Sequence, residues 1–124
     1  MGKLNNTEKK YIGFLSIFKE DSLKALSILD FVYRFQKKNK RNEATYFTDL
    51  DTEKEIIGAL MEEGYLYKRE PIDFTIFYKY ELTTTDKGNT IIKSGIKNTL
   101  TEFENVIKRK RVRYKNKYLK YIKK

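Results

Sequence analysis

The groups with the clearest capacity for chemistry in this sequence are cations. The last seventeen residues, KRKRVRYKNKYLKYIKK (108–124), hold ten Lys and Arg, three Tyr and no acidic side chain. Lys and Arg neutralise phosphates and release the counterions condensed on them, which gives affinity for nucleic acid whatever its sequence. Lys108, Arg109, Lys110, Arg111, Arg113, Lys115, Lys117 and Lys120 are therefore the first candidates for nucleic-acid contact. Tyr114 and Tyr118 can stack on the bases of a single strand or of RNA. The plainer role for these tyrosines is to continue an apolar stripe against a second chain. A second cluster, Lys37, Lys38, Lys40 and Arg41, either contacts phosphate or is a solvated loop that also offsets a helix C-terminus. Lys68, Arg69 and Lys79 are further candidates for phosphate contact, and Thr52 and Lys54 for reading bases.

Other chemistry is thinly provided. The chain has no His and no Cys, so the commonest general base, the commonest metal ligands and the thiol nucleophile are all missing. Glu62 and Glu63 are neighbours, and neighbours on a helix do not face one another. DKGNT (86–90) lacks the glycine spacing and trailing Lys-Ser/Thr of a phosphate-cradling loop. The chain is expected to be no enzyme and to use no metal, no cofactor and no small-molecule ligand. MGKLNNTEKK does not run into a signal-like apolar stretch, and no segment approaches the roughly 18 to 20 apolar residues of a membrane span. A cytoplasmic protein with no membrane partner is expected.

Charge is distributed unevenly. Residues 1–107 carry 17 basic and 17 acidic side chains, so the whole net charge of +10 sits in 108–124. A neutral body with a basic end suits nucleic acid, an anionic surface or an acidic protein. At 40% hydrophobic, with ten Tyr and eight Phe, the body has enough apolar surface for one folded core.

The elements that must position these groups follow from periodicity. Thr7 can cap a first helix with the stripe Tyr11, Ile12, Phe14, Leu15 and Phe18. Asp21 can cap a second, whose stripe is Leu23, Leu26, Leu29, Val32 (or Tyr33) and Phe35 (or Gln36). After the loop Lys37–Glu43 comes a short β-prone run, ATYF (44–47). Asp51 can then cap a third helix, ending at Gly64 as the residue that closes it. YLYKR (65–69), a turn at EPID (70–73) and the alternating run FTIFYKYELT (74–83) predict a hairpin. A further helix starts near Lys87 or Asn89, and Gly95 bends or interrupts it. Beyond it Ile96, Leu100, Phe103, Ile107, Tyr114, Tyr118 and Tyr121 lie within about 60° of one another at 100° per residue. Only Lys110 and Arg111 break that stripe. A helix from Ile96 to Ile122 would be about 40 Å long.

This order of elements, with ALMEEGYLYKRE and YKYELTTTDKGNTII, resembles the winged-helix regulators of the MarR-like and PadR-like families. The matching residues are Leu60, Gly64, Tyr65, Leu66, Arg69, Tyr80, Leu82, Thr83 and Gly88. The resemblance covers roughly residues 21–95. It implies an α+β fold, a mainly helical winged helix-turn-helix with a β-hairpin wing, and sequence-specific binding to double-stranded DNA as a homodimer. Two features depart from the family. Only Thr48–Asp51 is available for the helix that should precede the recognition helix, and the outward face of the third helix carries Asp51, Glu55, Gly58 and Glu62. A supposed wing tip at Glu70–Asp73 is acidic as well.

The chain is thus expected to hold a winged-helix domain (1–95) and a long basic C-terminal helix (96–124). Dimerisation is assigned to Ile96, Leu100, Phe103, Ile107, Tyr114 and Tyr118. An antiparallel crossing near Phe103–Ile107 would separate the two basic ends and bring Glu102 and Glu104 to the partner's cations. The expected function is regulation of transcription or replication. Its rivals are a protein-interaction module whose tail binds an acidic partner, and an RNA-binding protein.

Overall fold

Alternation builds one strand, Tyr78–Thr84, against which the rest of the sheet and two helices assemble. A computed structural model of the chain describes residues 13, 16–68, 72–73 and 78–122, with 72–73 and 111–122 described by backbone alone. Residues 16–20 are helical (α1) and pass through a bend at Asp21 into α2 (Ser22–Asn39). There follow β1 (Ala44–Thr48), α3 (Asp51–Glu62), β2 (Leu66–Lys68), β3 (Ile72–Asp73), β4 (Tyr78–Thr84), α4 (Asp86–Lys93) and α5 (Ile96–Ile122). The class is α+β and mainly helical. Thr7, Tyr11, Ile12, Phe14 and Leu15 lie outside the described residues, whereas Phe18 of the same stripe is buried.

β1 pairs antiparallel with one edge of β4, Ala44 opposite Leu82 and Thr48 opposite Tyr78. β2 and β3 pair with the other edge, Leu66 opposite Thr84 and Ile72 opposite Lys79. Along β4, Tyr80 and Leu82 turn into the core, while Lys79 and Glu81 form an ion pair at 3.3 Å. The hairpin differs from expectation in its turn. Ile72 and Asp73 pair with Lys79 and Tyr78, so these two residues of the expected turn belong to a strand. Glu70 and Pro71 lie outside the described residues.

α2 buries Ala25, Leu26, Ile28, Leu29 and Val32. Leu23 was expected in this stripe but is 68% exposed. It lies about 120° round the helix from Leu29 at 100° per residue, off the face that meets the sheet. Asp21 occupies the cap position without a side-chain hydrogen bond. The cap residue of α3 is Leu50 rather than Asp51, and the Leu50 N–H donates to Thr48 Oγ1 at 3.0 Å. Only Asp49 and Leu50 separate β1 from α3, which leaves no room for a further helix between them.

α3 closes as expected at Gly64, with φ +87° and the Tyr65 N–H donating to Leu60 O at 2.9 Å. Thr85 caps α4 by accepting the Gly88 N–H at 3.0 Å. Gly95, with φ +104°, then separates α4 from α5. The buried Thr99 hydroxyl sits 2.9 Å from Ile91 O and 2.8 Å from Gly95 O, which fixes this elbow.

α5 enters the core. Thr99, Phe103, Val106 and Ile107 are buried, and Phe103 meets Phe18 edge-on at 5.0 Å and Tyr65 at 5.8 Å between ring centres. The apolar stripe assigned to dimerisation is thus used within one chain at Phe103 and Ile107, because α5 packs on α2 and α4. Leu100 is partly buried against the same core and Ile96 is 66% exposed. The side chains of Tyr114 and Tyr118 lie outside the described residues. Glu102, expected to reach a partner, bonds Arg109 of its own helix at 3.0 Å.

Gly88 offers a test of this packing. A Cβ there would stand 2.3 Å from Tyr65 O. Alanine gains about 1 kcal/mol over glycine within a helix, but overpacking against fixed backbone costs about 1–3 kcal/mol. Gly88→Ala should therefore lower the urea midpoint; a raised midpoint would show that α4 does not seat on Tyr65.

Candidate nucleic-acid interface

The start of α3 is held from three sides by a buried carboxylate. Glu53 Oε2 lies 2.7 Å from Lys24 Nζ of α2, and Tyr46 OH of β1 donates to Glu53 Oε1 at 2.9 Å. Burial alone would raise the Glu53 pKa, but hydrogen bonds from Lys24, Thr48 and Tyr46 outweigh it and hold the carboxyl below the ordinary value. The same contact pushes the Tyr46 phenol upward, after the larger effect of its own burial.

The outward side of α3 exposes Asp51, Thr52, Glu55 and Glu62. Lys54 offsets only Asp51 among them. Its ammonium sits 3.8 Å from the Tyr78 ring centre and 3.6 Å from Asp51 Oδ1. A major groove would meet carboxylates here, with Thr52 among them. On the hairpin, Lys68 rests 5.2 Å from the Tyr80 ring centre and Lys79 pairs with Glu81, while Arg69 lies outside the described residues.

The basic segment begins inside an ion network. Glu63, just past α3, is approached by Lys87 at 3.2 Å, Arg109 at 3.6 Å and Lys110 at 3.8 Å. Lys87 also donates to Glu63 O at 2.8 Å, and its ammonium lies 5.0 Å from the Tyr65 ring centre. Arg109 is further held by Glu102, whose hydrogen bond raises the guanidinium pKa. Arg109 and Lys110 are therefore engaged by carboxylates of the body, and Lys108 is exposed. Arg111, Arg113, Lys115, Lys117 and Lys120 follow on the α5 backbone, their side chains outside the described residues. The helix continues without a break to Ile122.

The second cluster gathers at the end of α2. Lys40 ends the helix with φ +53°, and Lys37, Lys38, Lys40 and Arg41 are all exposed. Lys37 and Arg41 line a cleft of about 300 Å³ together with Lys93 from the last turn of α4. Its floor is Gln36, Thr84 and Asn89. The sequence reading missed Lys93, since it is remote from residues 37–41 and only the packing of α4 on α2 brings it there. A neighbouring hollow holds Lys40 and Arg41 but also Glu43 and Glu81. Among the described residues no group of acidic side chains could hold a metal ion, and no helix is long and apolar enough to cross a membrane.

Comparison with protein-family models, curated proteins and solved structures found no match to this chain.

Glu53 gives the site a pH signature. Its lowered pKa means that its stabilisation is present above the ordinary glutamate value of 4.5 and is lost as pH falls through the folded-state value. Glu53→Gln should cost about 1–3 kcal/mol near neutral pH. That difference should narrow in urea titrations at successively lower pH and vanish once wild-type Glu53 is protonated. A gap independent of pH would rule out the ionised carboxylate as the anchor.

Proposed function

We propose that this protein binds nucleic acid, with double-stranded DNA as the partner, and that the basic half of α5 supplies most of the affinity. The observation that carries this is continuity: one helix runs from the core at Phe103 into the segment that holds the entire net charge. Cations on a helix rise about 1.5 Å per residue, so residues 108–122 present charge along about 21 Å. A helix pre-orders charges that a loose tail would have to order on binding. The resemblance to winged-helix regulators, together with a hairpin following α3 and the strand order β1-β4-β2, supports a role in regulating transcription or replication. The acidic outward face of α3 argues for phosphate contact over base reading.

The same acidic face favours a second function, a protein-interaction module whose tail takes an acidic partner. Binding to random duplex, single-stranded DNA, RNA and an acidic peptide separates these. Engagement of about six phosphates gives a log–log salt slope near −5 on duplex DNA. Neutralising Lys115, Lys117 and Lys120 to Gln in the full chain should weaken binding and reduce the slope by about 2.7. An unchanged slope would move recognition to the body, and tighter binding to the acidic peptide than to duplex would select the second function.

Through α5, a homodimer would draw on exposed Ile96 and on the half beyond Ile107, where Tyr114, Tyr118 and Tyr121 continue the stripe. Sedimentation at tens of micromolar should show a dimer that Tyr114→Lys with Tyr118→Lys converts to monomer. A monomeric wild type would exclude this assembly.

A further inference from the structure

Five cations of the body sit against carboxylates: Lys24 meets Glu53, Arg34 meets Asp30, Lys54 meets Asp51, Lys79 meets Glu81 and Lys87 meets Glu63. The cleft between the last turns of α2 and α4 gathers cations without a carboxylate. Lys37, Arg41 and Lys93 line it from two helices and a loop, and no carboxylate lines it with them. Among the described residues none of the three has an acidic partner; the one polar contact of Lys37 is the Tyr33 hydroxyl at 3.4 Å. Positive charge at helix C-termini is ordinary, and it accounts for Lys37 and Lys93. It does not account for Arg41, or for the convergence of all three on one concavity.

The floor beneath them is already ordered. Gln36 Nε2 donates to Asn42 O at 2.7 Å, and Gln36 Oε1 accepts the Thr84 N–H at 3.0 Å. The Thr84 hydroxyl donates to Asn89 Oδ1 and lies 3.2 Å from Gln36 Oε1. A ligand would therefore meet a fixed polar base and three exposed cations, so little ordering cost falls on the base.

We propose that this cleft binds a terminal phosphate group, a phosphomonoester. A phosphomonoester carries about −1.5 to −2 charge at neutral pH and three strong acceptor oxygens, which matches three converging cations. A backbone diester has one charge and matches them less well. Arg41 is suited to bidentate contact with such oxygens, and lysines act as point charges beside it. A cleft of about 300 Å³ leaves room for the attached sugar. This site lies at the start of α5, whereas the basic segment lies towards its end, so it operates whether or not α5 binds nucleic acid.

Two sources of the group can be told apart in the full-length protein at fixed ionic strength. Adenosine 5′-monophosphate should shift the amide resonances of Thr84, Asn89 and Lys93, and adenosine should not, if free nucleotides are ligands. A short duplex with 5′-phosphates should bind about tenfold tighter than the same duplex with 5′-hydroxyls if strand ends are ligands, a difference of about 1.4 kcal/mol. In either case Arg41→Gln with Lys93→Gln should abolish the effect. Lys19→Gln with Lys97→Gln, an equal charge change outside the cleft, should leave it intact, with melting curves confirming that both variants fold. The proposal is overturned if neither probe distinguishes the phosphate from the hydroxyl, or if the two double variants lose the effect equally. Loss of the salt-dependent duplex binding alone would count against the role of α5 and leave the cleft untouched.

Discussion

Tyr65 is where the separate elements of this chain are made to agree. Its N–H closes α3 through Leu60, its carbonyl accepts the Thr85 N–H, and that same carbonyl is the surface on which Gly88 lies. Its ring is fully buried against Phe103 of α5, with the Lys87 ammonium on it. One residue thereby sets the end of one helix, the start of another and the seat of a third. Its hydroxyl has no hydrogen-bond partner among the described residues, and burial, then the carboxylates of Glu102 and Glu63, push its pKa upward against Arg109. The phenol stays neutral and acts as a large apolar body.

The relative sizes of the forces around Tyr65 show which of them positions α5. Burying Phe103 and Val106 contributes about 1.5–3 kcal/mol for each side chain. The ion pairs to Glu63 involve partners that are about half exposed, 47% for Lys87 and 54% for Arg109. Pairs of that kind contribute about 1 kcal/mol or less. Aromatic packing therefore holds the helix in place, and the carboxylates choose which way its first cations point. Glu63 and Glu102 together face three cations, so the basic segment leaves the body already carrying an excess of positive charge.

Much of the scaffold was legible because local rules governed it. The closing turn at Gly64 and the alternation of Tyr80 and Leu82 follow from backbone and pleat, and both are present. The acidic outward face of α3 follows from a period of 3.6 in the same way. What was not legible depends on distant partners. Leu23 reads as apolar stripe, but its exposure is decided by where the sheet lies. Ile72 and Asp73 read as a turn until pairing with β4 makes them a strand. Phe103 and Ile107 read as an unpaired face, because no local signal reports that α1, α2 and α4 leave a trough of their size. The candidate sites divide likewise: the basic run is visible as composition, whereas the meeting of Lys93 with Lys37 and Arg41 belongs to tertiary structure.

The uninterrupted course of α5 through Lys108 has a geometric consequence. Because the charged half is the same helix as the buried half, its facing direction is locked to the core by helical phase. Each residue inserted beyond Lys110 would advance the distal cations by about 1.5 Å and swing them by about 100°, leaving Phe103 and Val106 where they are. The length of this junction is thus a dial that redirects a charged surface without repacking the fold. Two proteins sharing this body could aim the same basic sequence at quite different partners.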